Sequence, residues 1–197
     1  MRIAITGTTG GIGSAAARAA RAAGCDVAEI NRIEWQEISN DKCPILDEGG
    51  LDGVVFCTGT CKAVPLTKID DGFFSETIET NCTLFMSLIR YIVKRRLYSS
   101  DGMKAIAISS ISAKEGWAGG AAYCASKGAL SALCRALNSE LSIRKIHVEA
   151  LEPGYVNTRM FRECAMRMGV PESQAADPGE FARQLIGRFT EGGRDAV

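Results

Sequence analysis

Short apolar runs alternate with longer stretches of helical period along this chain, the pattern left by successive strand–helix–strand units around a parallel sheet. Arg2–Thr6 (RIAIT) reads as the first buried strand and Val27–Ile30 as the second. Further strands are predicted at Asp52–Cys57, Met103–Ser109 and Lys145–Leu151, with a short edge strand at Glu34–Ile38. The alanine-rich segment Ser14–Ala23 is predicted helical and stopped by Gly24. Phe73, Phe74, Ile78, Leu84, Phe85, Leu88, Ile89, Ile92 and Val93 recur at helical spacing, and Ala121–Ile143 makes a second long helix, so these two should cover the sheet. Periodicity fails between Thr158 and Asp177, where a mobile flap over a site is expected, and a last helix, Gly179–Phe189, follows Pro178.

A chain of 197 residues without internal repeats or a linker fits one domain. With 46% hydrophobic and 23% charged residues it is ordinary globular material, and Lys plus Arg equal Asp plus Glu at 23 each. No overall field draws it to nucleic acid or an anionic membrane, so neither is expected as a partner. The N-terminus runs straight into a strand, without a leader, and no stretch spans a bilayer, which predicts a cytoplasmic protein. The eight cysteines, Cys25, Cys43, Cys57, Cys61, Cys82, Cys124, Cys134 and Cys164, show no paired metal-ligand spacing and read as free thiols, buried or half-buried, in a reducing compartment. His147 is the single histidine, which excludes a histidine-based triad or a multi-histidine metal site; it reads as a strand residue with a substrate contact left open, and no metal is expected.

Directly after the first strand comes Thr6-Gly7-Thr8-Thr9-Gly10-Gly11-Ile12-Gly13, opening into a helix. Gly7 permits a tight turn, Gly11 lets backbone approach a pyrophosphate, and Gly13 lets the helix pack close, while the helix N-terminus attracts the anion. Gly7, Thr9, Gly11, Ile12 and Gly13 are therefore candidate dinucleotide contacts. The predicted fold is α/β, a Rossmann-type doubly wound parallel sheet of about six strands in the order 3-2-1-4-5-6, shortened after the second strand and at the C-terminus. The second strand ends at Asn31 and Arg32, where an acidic residue would ordinarily hold the adenosine ribose of NAD. Asn31 does not repel a 2′-phosphate and Arg32 can pair with one, so NADP(H) is favoured over NAD(H), with Glu34 opposing and a merely solvated Arg32 as the other reading.

Tyr123-Cys124-Ala125-Ser126-Lys127 begins the long Ala121–Ile143 helix, and a spacing of four places the phenol and the amine on one face. A tyrosine with its ordinary pKa near 10 is a poor acid–base catalyst at neutrality, and a neighbouring cation should lower that value. Ser110 stands at the carboxyl end of the preceding strand, where such sheets bind ligands, and its hydroxyl can orient a carbonyl.

Through TGTTGGIG, Ser110, YCASK and Pro153-Gly154-Tyr155-Val156-Asn157-Thr158, the sequence resembles the short-chain dehydrogenase/reductase family. The resemblance implies an oxidoreductase that passes hydride between a nicotinamide cofactor and a carbonyl or secondary alcohol, with Tyr123 as general acid/base. It implies that Asn81 completes the catalytic set with Ser110, Tyr123 and Lys127 by holding a water, and that Tyr123 and Lys127 also touch the cofactor, Lys127 at the nicotinamide ribose. Pro153, Gly154, Val156 and Thr158 would lie at the carboxamide end, with Thr158 as the hydrogen-bonding residue. Trp117, Tyr155, Met160 and Phe161 are candidate pocket walls for a small-molecule carbonyl or alcohol substrate.

The chain departs from the family in three places. Phe56-Cys57-Thr58-Gly59 stands where an Asn-rich segment is usual, so cofactor contact there passes to Cys57, Thr58 and Gly59. Residues 33–52 are too few for the usual helix and strand, with Pro44 and Gly49-Gly50 against a long helix, so one flanking helix is expected to be missing. The sequence also stops after Glu191-Gly192-Gly193 without the family's final strand; a homodimer through helices 73–95 and 121–143 is the expectation. A catalytically silent dinucleotide-binding sensor or scaffold is the alternative, against which the intact Tyr, Lys, Ser and Asn set argues. A sugar-nucleotide epimerase or dehydratase would need a differently spaced glycine turn and a larger C-terminal region.

Overall fold

The computed structural model describes residues 1–166 and 169–190. Five parallel strands, β1 Arg2–Thr6, β2 Asp26–Ile30, β3 Gly53–Phe56, β4 Met103–Ile108 and β5 Ile146–Leu151, form one sheet in the order β2-β1-β3-β4-β5. Chain order reverses between β1 and β3, which creates a crevice at the carboxyl edge of the sheet. This is the doubly wound Rossmann-like arrangement, one strand short of the sheet expected from sequence.

Alternation along the strands assigns their side chains to two layers. Ile3, Ile5, Val55, Ile106 and Ile108 pack with the alanines of α1 (Gly11–Ala22) and with Ala182, Leu185 and Ile186 of α8 (Pro178–Thr190). Ala4, Ala28, Ile30, Val54, Phe56, Ala105 and Ala107 face the other way. There they meet Phe85, Leu88, Ile89 and Ile92 of α5 (Leu84–Arg95) and Leu130 and Cys134 of α6 (Ala121–Leu141). The small strand residues let α5 and α6 lie close, and the Phe56 and Phe85 rings meet at 5.2 Å between centroids. His147 lies on β5 beside Lys104 of β4, in the strand where sequence put it.

The missing strand is the one predicted at Glu34–Ile38. That segment lies in helix α2 (Arg32–Ser39), and a further turn, α3 (Pro44–Asp47), precedes β3. Asn31 is the N-cap of α2, and the carboxylate of Glu34, at the third helical position, accepts the Asn31 amide at 2.7 Å. This is the reciprocal capping pattern, and it overrides the weak alternation of Ile33, Trp35 and Ile38. Helical material is thus retained between β2 and β3, and the strand is what is lost.

The long helical run in residues 73–93 is also divided. Helix α4 (Asp71–Ile78), capped by the Asp70 carboxylate on the Phe73 amide, passes through a π-helical turn at Glu79–Thr83 before α5 begins. The wider turn carries Asn81, which is fully buried. Between Val156 and Asp177 the chain forms helix α7 (Arg159–Glu163), a single 3₁₀ turn at Glu172–Gln174 and a bridge from Val156 to Ala176. Residues 167 and 168 of the expected flap, and the chain end beyond 190, lie outside the described residues. Among the described residues no helix is long and apolar enough to cross a membrane.

Candidate active site

The turn from β1 into α1 is closed by backbone contacts that leave no room for side chains. Gly7 has φ +65°, and a methyl group built on it would lie 3.0 Å from the Thr58 amide nitrogen. A methyl on Gly13 would lie 2.2 Å from the Gly7 carbonyl oxygen, and one on Gly11 2.4 Å from Thr158 Cγ2. Gly10, the N-cap of α1, supplies no capping side chain, and the first turn holds no acidic residue. The free amides of that turn therefore face the crevice beside exposed Thr9 and Gly11, with Ile12 half-buried behind them. Buried Thr6 joins this turn to the next strand: its Oγ1 accepts from the amides of Cys57 at 3.0 Å and Thr58 at 3.1 Å, with the Thr58 hydroxyl 2.9 Å away. Burial pushes the Cys57 thiol up to about 12, so it stays neutral there.

At the end of β2, Asn31 Nδ2 donates to Thr8 Oγ1 at 2.9 Å. Arg32 is exposed at the first position of α2 and has no ion-pair partner among the described residues. Glu34 is engaged by the Asn31 amide, as above. No acidic residue directly follows this strand end in sequence, but Glu29, the penultimate strand residue, lies against the glycine turn. Its carboxylate accepts from the Thr8 hydroxyl and pairs with Arg21 at 2.5 Å, and the Thr8 and then the Arg21 hydrogen bond hold it below the usual carboxylate range. Alternation in β2 puts Glu29 on the face covered by α1, which is the signal that could have found it.

Four polar side chains meet past the carboxyl ends of β3 and β4. Ser110, nine-tenths buried, caps the single turn Ile111–Ala113 by accepting the Ser112 amide at 3.1 Å, and its side chain hydrogen-bonds Tyr123. Tyr123 and Lys127 lie on one face of α6, with Lys127 Nζ 5.8 Å from the phenol ring centroid. That amine is buried and donates to the Ile108 carbonyl at 2.8 Å. Asn81 Oδ1 accepts the Thr60 amide at 2.7 Å, while Nδ2 donates to the Thr60 carbonyl at 2.9 Å and to Ser126 Oγ at 2.8 Å. Ser126 in turn donates to the Tyr123 carbonyl at 2.7 Å. A methyl on Gly59 would lie 3.2 Å from Asn81 Oδ1 and 3.5 Å from Lys127 Nζ, so the departure segment 56–59 is built around these two side chains.

The phenol differs from expectation. Burial, followed by the fields of the Cys61 and Cys164 thiols, raises Tyr123 above its ordinary 10, and the Ser110 hydrogen bond only partly offsets this. Lys127 does not bring it down, because the amine is itself desolvated, to about 8, and turned toward the Ile108 carbonyl. Around this centre Trp117 Nε1 donates to Ser112 Oγ at 3.2 Å, and its ring lies 6.3 Å from that of Tyr123. Tyr155 and Phe161 pair at 5.7 Å, and Met160 is exposed on α7. Pro153 accepts the Ile111 amide at 3.0 Å, Gly154 is exposed and Val156 is buried. Thr158 Oγ1 caps α7 through the Phe161 amide at 3.3 Å while its methyl abuts Gly11, so the glycine turn and the Pro153–Thr158 segment touch.

The sequence profile of the short chain dehydrogenases matches residues 44–168. The chain belongs to the short-chain dehydrogenase family. This short-chain dehydrogenase is 30% identical over 141 residues to the short-chain dehydrogenase/reductase ABA4 of Pyricularia oryzae, a match that covers 69% of this chain and 51% of that protein. It thus spans about half the length of that relative. It is 25% identical over 213 residues to a 2-dehydro-3-deoxy-D-gluconate 5-dehydrogenase of Pseudoalteromonas atlantica, covering 90% of this chain and 84% of the relative. Its fold matches a solved 4-hydroxyisoleucine dehydrogenase mutant complexed with NADH and succinate, with a TM-score of 0.85 and 21% identity over 100% of this chain and 94% of that one. It also matches an actinorhodin polyketide ketoreductase with NADPH, with a TM-score of 0.80 and 21% identity over 100% and 92% of the two chains.

In this short-chain dehydrogenase the buried amine leaves a signature in stability. Burial lowers Lys127 from 10.5 to about 8, so the folded chain holds that proton more weakly than the unfolded chain. The cost of the buried ammonium is fully present below that window, and stability rises as pH climbs through it. Urea unfolding of the protein and of Lys127→Met, each followed across the window without nucleotide, should show a smaller rise with pH in the variant. Parallel curves would contradict the burial of the amine.

Proposed function

We propose that this chain is an NADP(H)-linked oxidoreductase that interconverts a small carbonyl compound and its secondary alcohol, with Asn81, Ser110, Tyr123 and Lys127 as its catalytic group. The observation that carries the reading is the convergence of these four side chains at the carboxyl edge of the sheet, on the edge that the uncapped N-terminus of α1 also faces. The amides at the uncapped N-terminus of α1, brought to the crevice by a turn too tight for side chains at Gly7 and Gly13, fit a dinucleotide pyrophosphate. When bound, the reduced nicotinamide would supply hydride to the carbonyl carbon.

Tyr123, held protonated by its buried setting, is a proton donor for a carbonyl oxygen as that oxygen gains negative charge. Ser110, already bonded to the phenol, orients the same oxygen. Lys127 brings a donor to the ribose end of the cofactor, and its lowered pKa lets it pass a proton near neutrality. Both N–H donors of Asn81 are engaged, which fixes the amide and leaves one Oδ1 lone pair for a water behind Lys127. Helix α7 and the segment 169–177 cover the substrate side, with Trp117, Tyr155, Met160 and Phe161 as pocket walls. The preference for NADP(H) rests on Arg32, which is exposed and unpaired among the described residues, while Glu29 is taken up by Arg21 and Thr8 and Glu34 by the Asn31 amide.

Tyr123→Phe should lower turnover of a carbonyl panel, read through NADPH oxidation, by roughly 10²–10⁴-fold. Its NADPH affinity, read by fluorescence titration, should stay near that of the parent; a variant that keeps full activity removes the mechanism. Arg32→Ala should weaken NADPH by about tenfold and leave NADH nearly unchanged. Equal losses for the two cofactors would withdraw the NADP(H) assignment.

A further inference from the structure

Cys61 and Cys164 stand 103 residues apart in sequence, yet their sulfurs are 3.0 Å apart, the one thiol–thiol hydrogen bond among the described residues. Cys61 is half-buried in the loop that leaves β3 beyond Gly59, and Cys164, only 6% exposed, ends helix α7. Either sulfur can donate in this hydrogen bond; it holds the Cys164 thiol below the usual range, helped by the Ala63 amide bonding Cys164, and raises that of Cys61. Both sulfurs lie near enough to Tyr123 to act on its phenol. Bonding requires an approach from 3.0 Å to about 2.05 Å, a movement of roughly one ångström.

We propose that Cys61 and Cys164 are a modification site for peroxide, whose product is a disulfide tying α7 to the loop after β3 across the approach to Tyr123. The Cys164 thiolate attacks one oxygen of hydrogen peroxide, the O–O bond breaks, hydroxide leaves and is protonated to water, and Cys164 becomes a sulfenic acid. The Cys61 sulfur attacks that sulfur, gives up its proton and displaces a second water, so two thiols and one peroxide become one disulfide and two waters. A small oxidant suits a sulfur as enclosed as Cys164. The bond fixes α7, which carries Met160 and Phe161 and starts at Thr158 against Gly11, so it closes the substrate approach. This closure rests on the proposed function; the bond itself does not.

The test treats the reduced full chain with stoichiometric hydrogen peroxide, blocks the remaining thiols with an alkylating agent, and reads intact mass and a peptide map. The expected product has two fewer alkylated thiols, a cross-linked peptide pair joining Cys61 to Cys164, and reversal by dithiothreitol. Oxygen additions without a link, or a link between other cysteines, would overturn the site. Cys61→Ser and Cys164→Ser should each lose the linked product, and peroxide should leave each variant's own turnover unchanged, so either alone serves if the other does not fold. Turnover of the linked parent should fall by roughly tenfold or more and return on reduction; a linked protein with full turnover overturns the closure. Reduced protein without any turnover instead counts against the proposed oxidoreductase activity, and the mass still decides the bond.

Discussion

Between the turn that leaves β1 and the first turn of α1 there is no space for a carbon atom. A methyl on Gly13 would sit 2.2 Å from the Gly7 carbonyl, and one on Gly11 would strike Thr158. That closeness has a functional consequence, because backbone amides, and no side chain, line the end of α1. It also has an architectural one: α1 is drawn onto the face made by Ile3, Ile5, Val55, Ile106 and Ile108, and its positive end is aimed at the crevice between β1 and β3. The contact of Gly11 with Thr158 then ties the segment after β5 to the same point, so opposite halves of the sheet share one site wall.

The second constraint is electrostatic. An amine as buried as that of Lys127 is costly, and it is tolerated here because the Ile108 carbonyl accepts its hydrogen bond and the Asn81 amide lies across Gly59 from it. Asn81 reaches that place only because α4 widens into a π-helical turn before α5. Its own polar atoms are satisfied by Thr60 and Ser126, and Ser126 leads back to the main chain of Tyr123. The Asn81 amide is thus tied through Ser126 to the main chain of Tyr123, while the Ile108 carbonyl separately anchors the amine, which stands 5.8 Å from the phenol ring centroid.

Much of this was legible in the sequence, for identifiable reasons. Strand alternation and the glycine spacing are local signals, and they placed β1–β5, α1, α6 and α8 to within a residue or a few. The helical period of residues 73–93 was also visible, but the wide turn within it was not, since widening by one residue leaves the apolar stripe nearly intact. The edge strand at Glu34–Ile38 gives way to a helix because Asn31 and Glu34 form a capping pair, a signal stronger than the weak alternation of that segment. Glu29 lies inside β2, one residue before the strand end where ribose-holding acids stand, and only the period of two reveals that it faces the glycine turn. The Tyr123 and Lys127 pairing followed from their spacing, while the sign of the phenol's shift depended on burial that a spacing does not show. The meeting of Cys61 with Cys164 is a long-range contact that no local pattern carries.

Membership in the short-chain dehydrogenases follows from the match over residues 44–168, and the convergence of the glycine turn with Tyr123 and Lys127 gives that membership a chemical reading. The most direct measurement of that reading is a crystal structure of this chain grown with NADPH. The account predicts the pyrophosphate on the amides of Gly11–Gly13 and the nicotinamide ring beside the Tyr123 hydroxyl and the Lys127 amine. A ring bound away from those two groups, or a phenol turned out to bulk water with the ring in place, would contradict it.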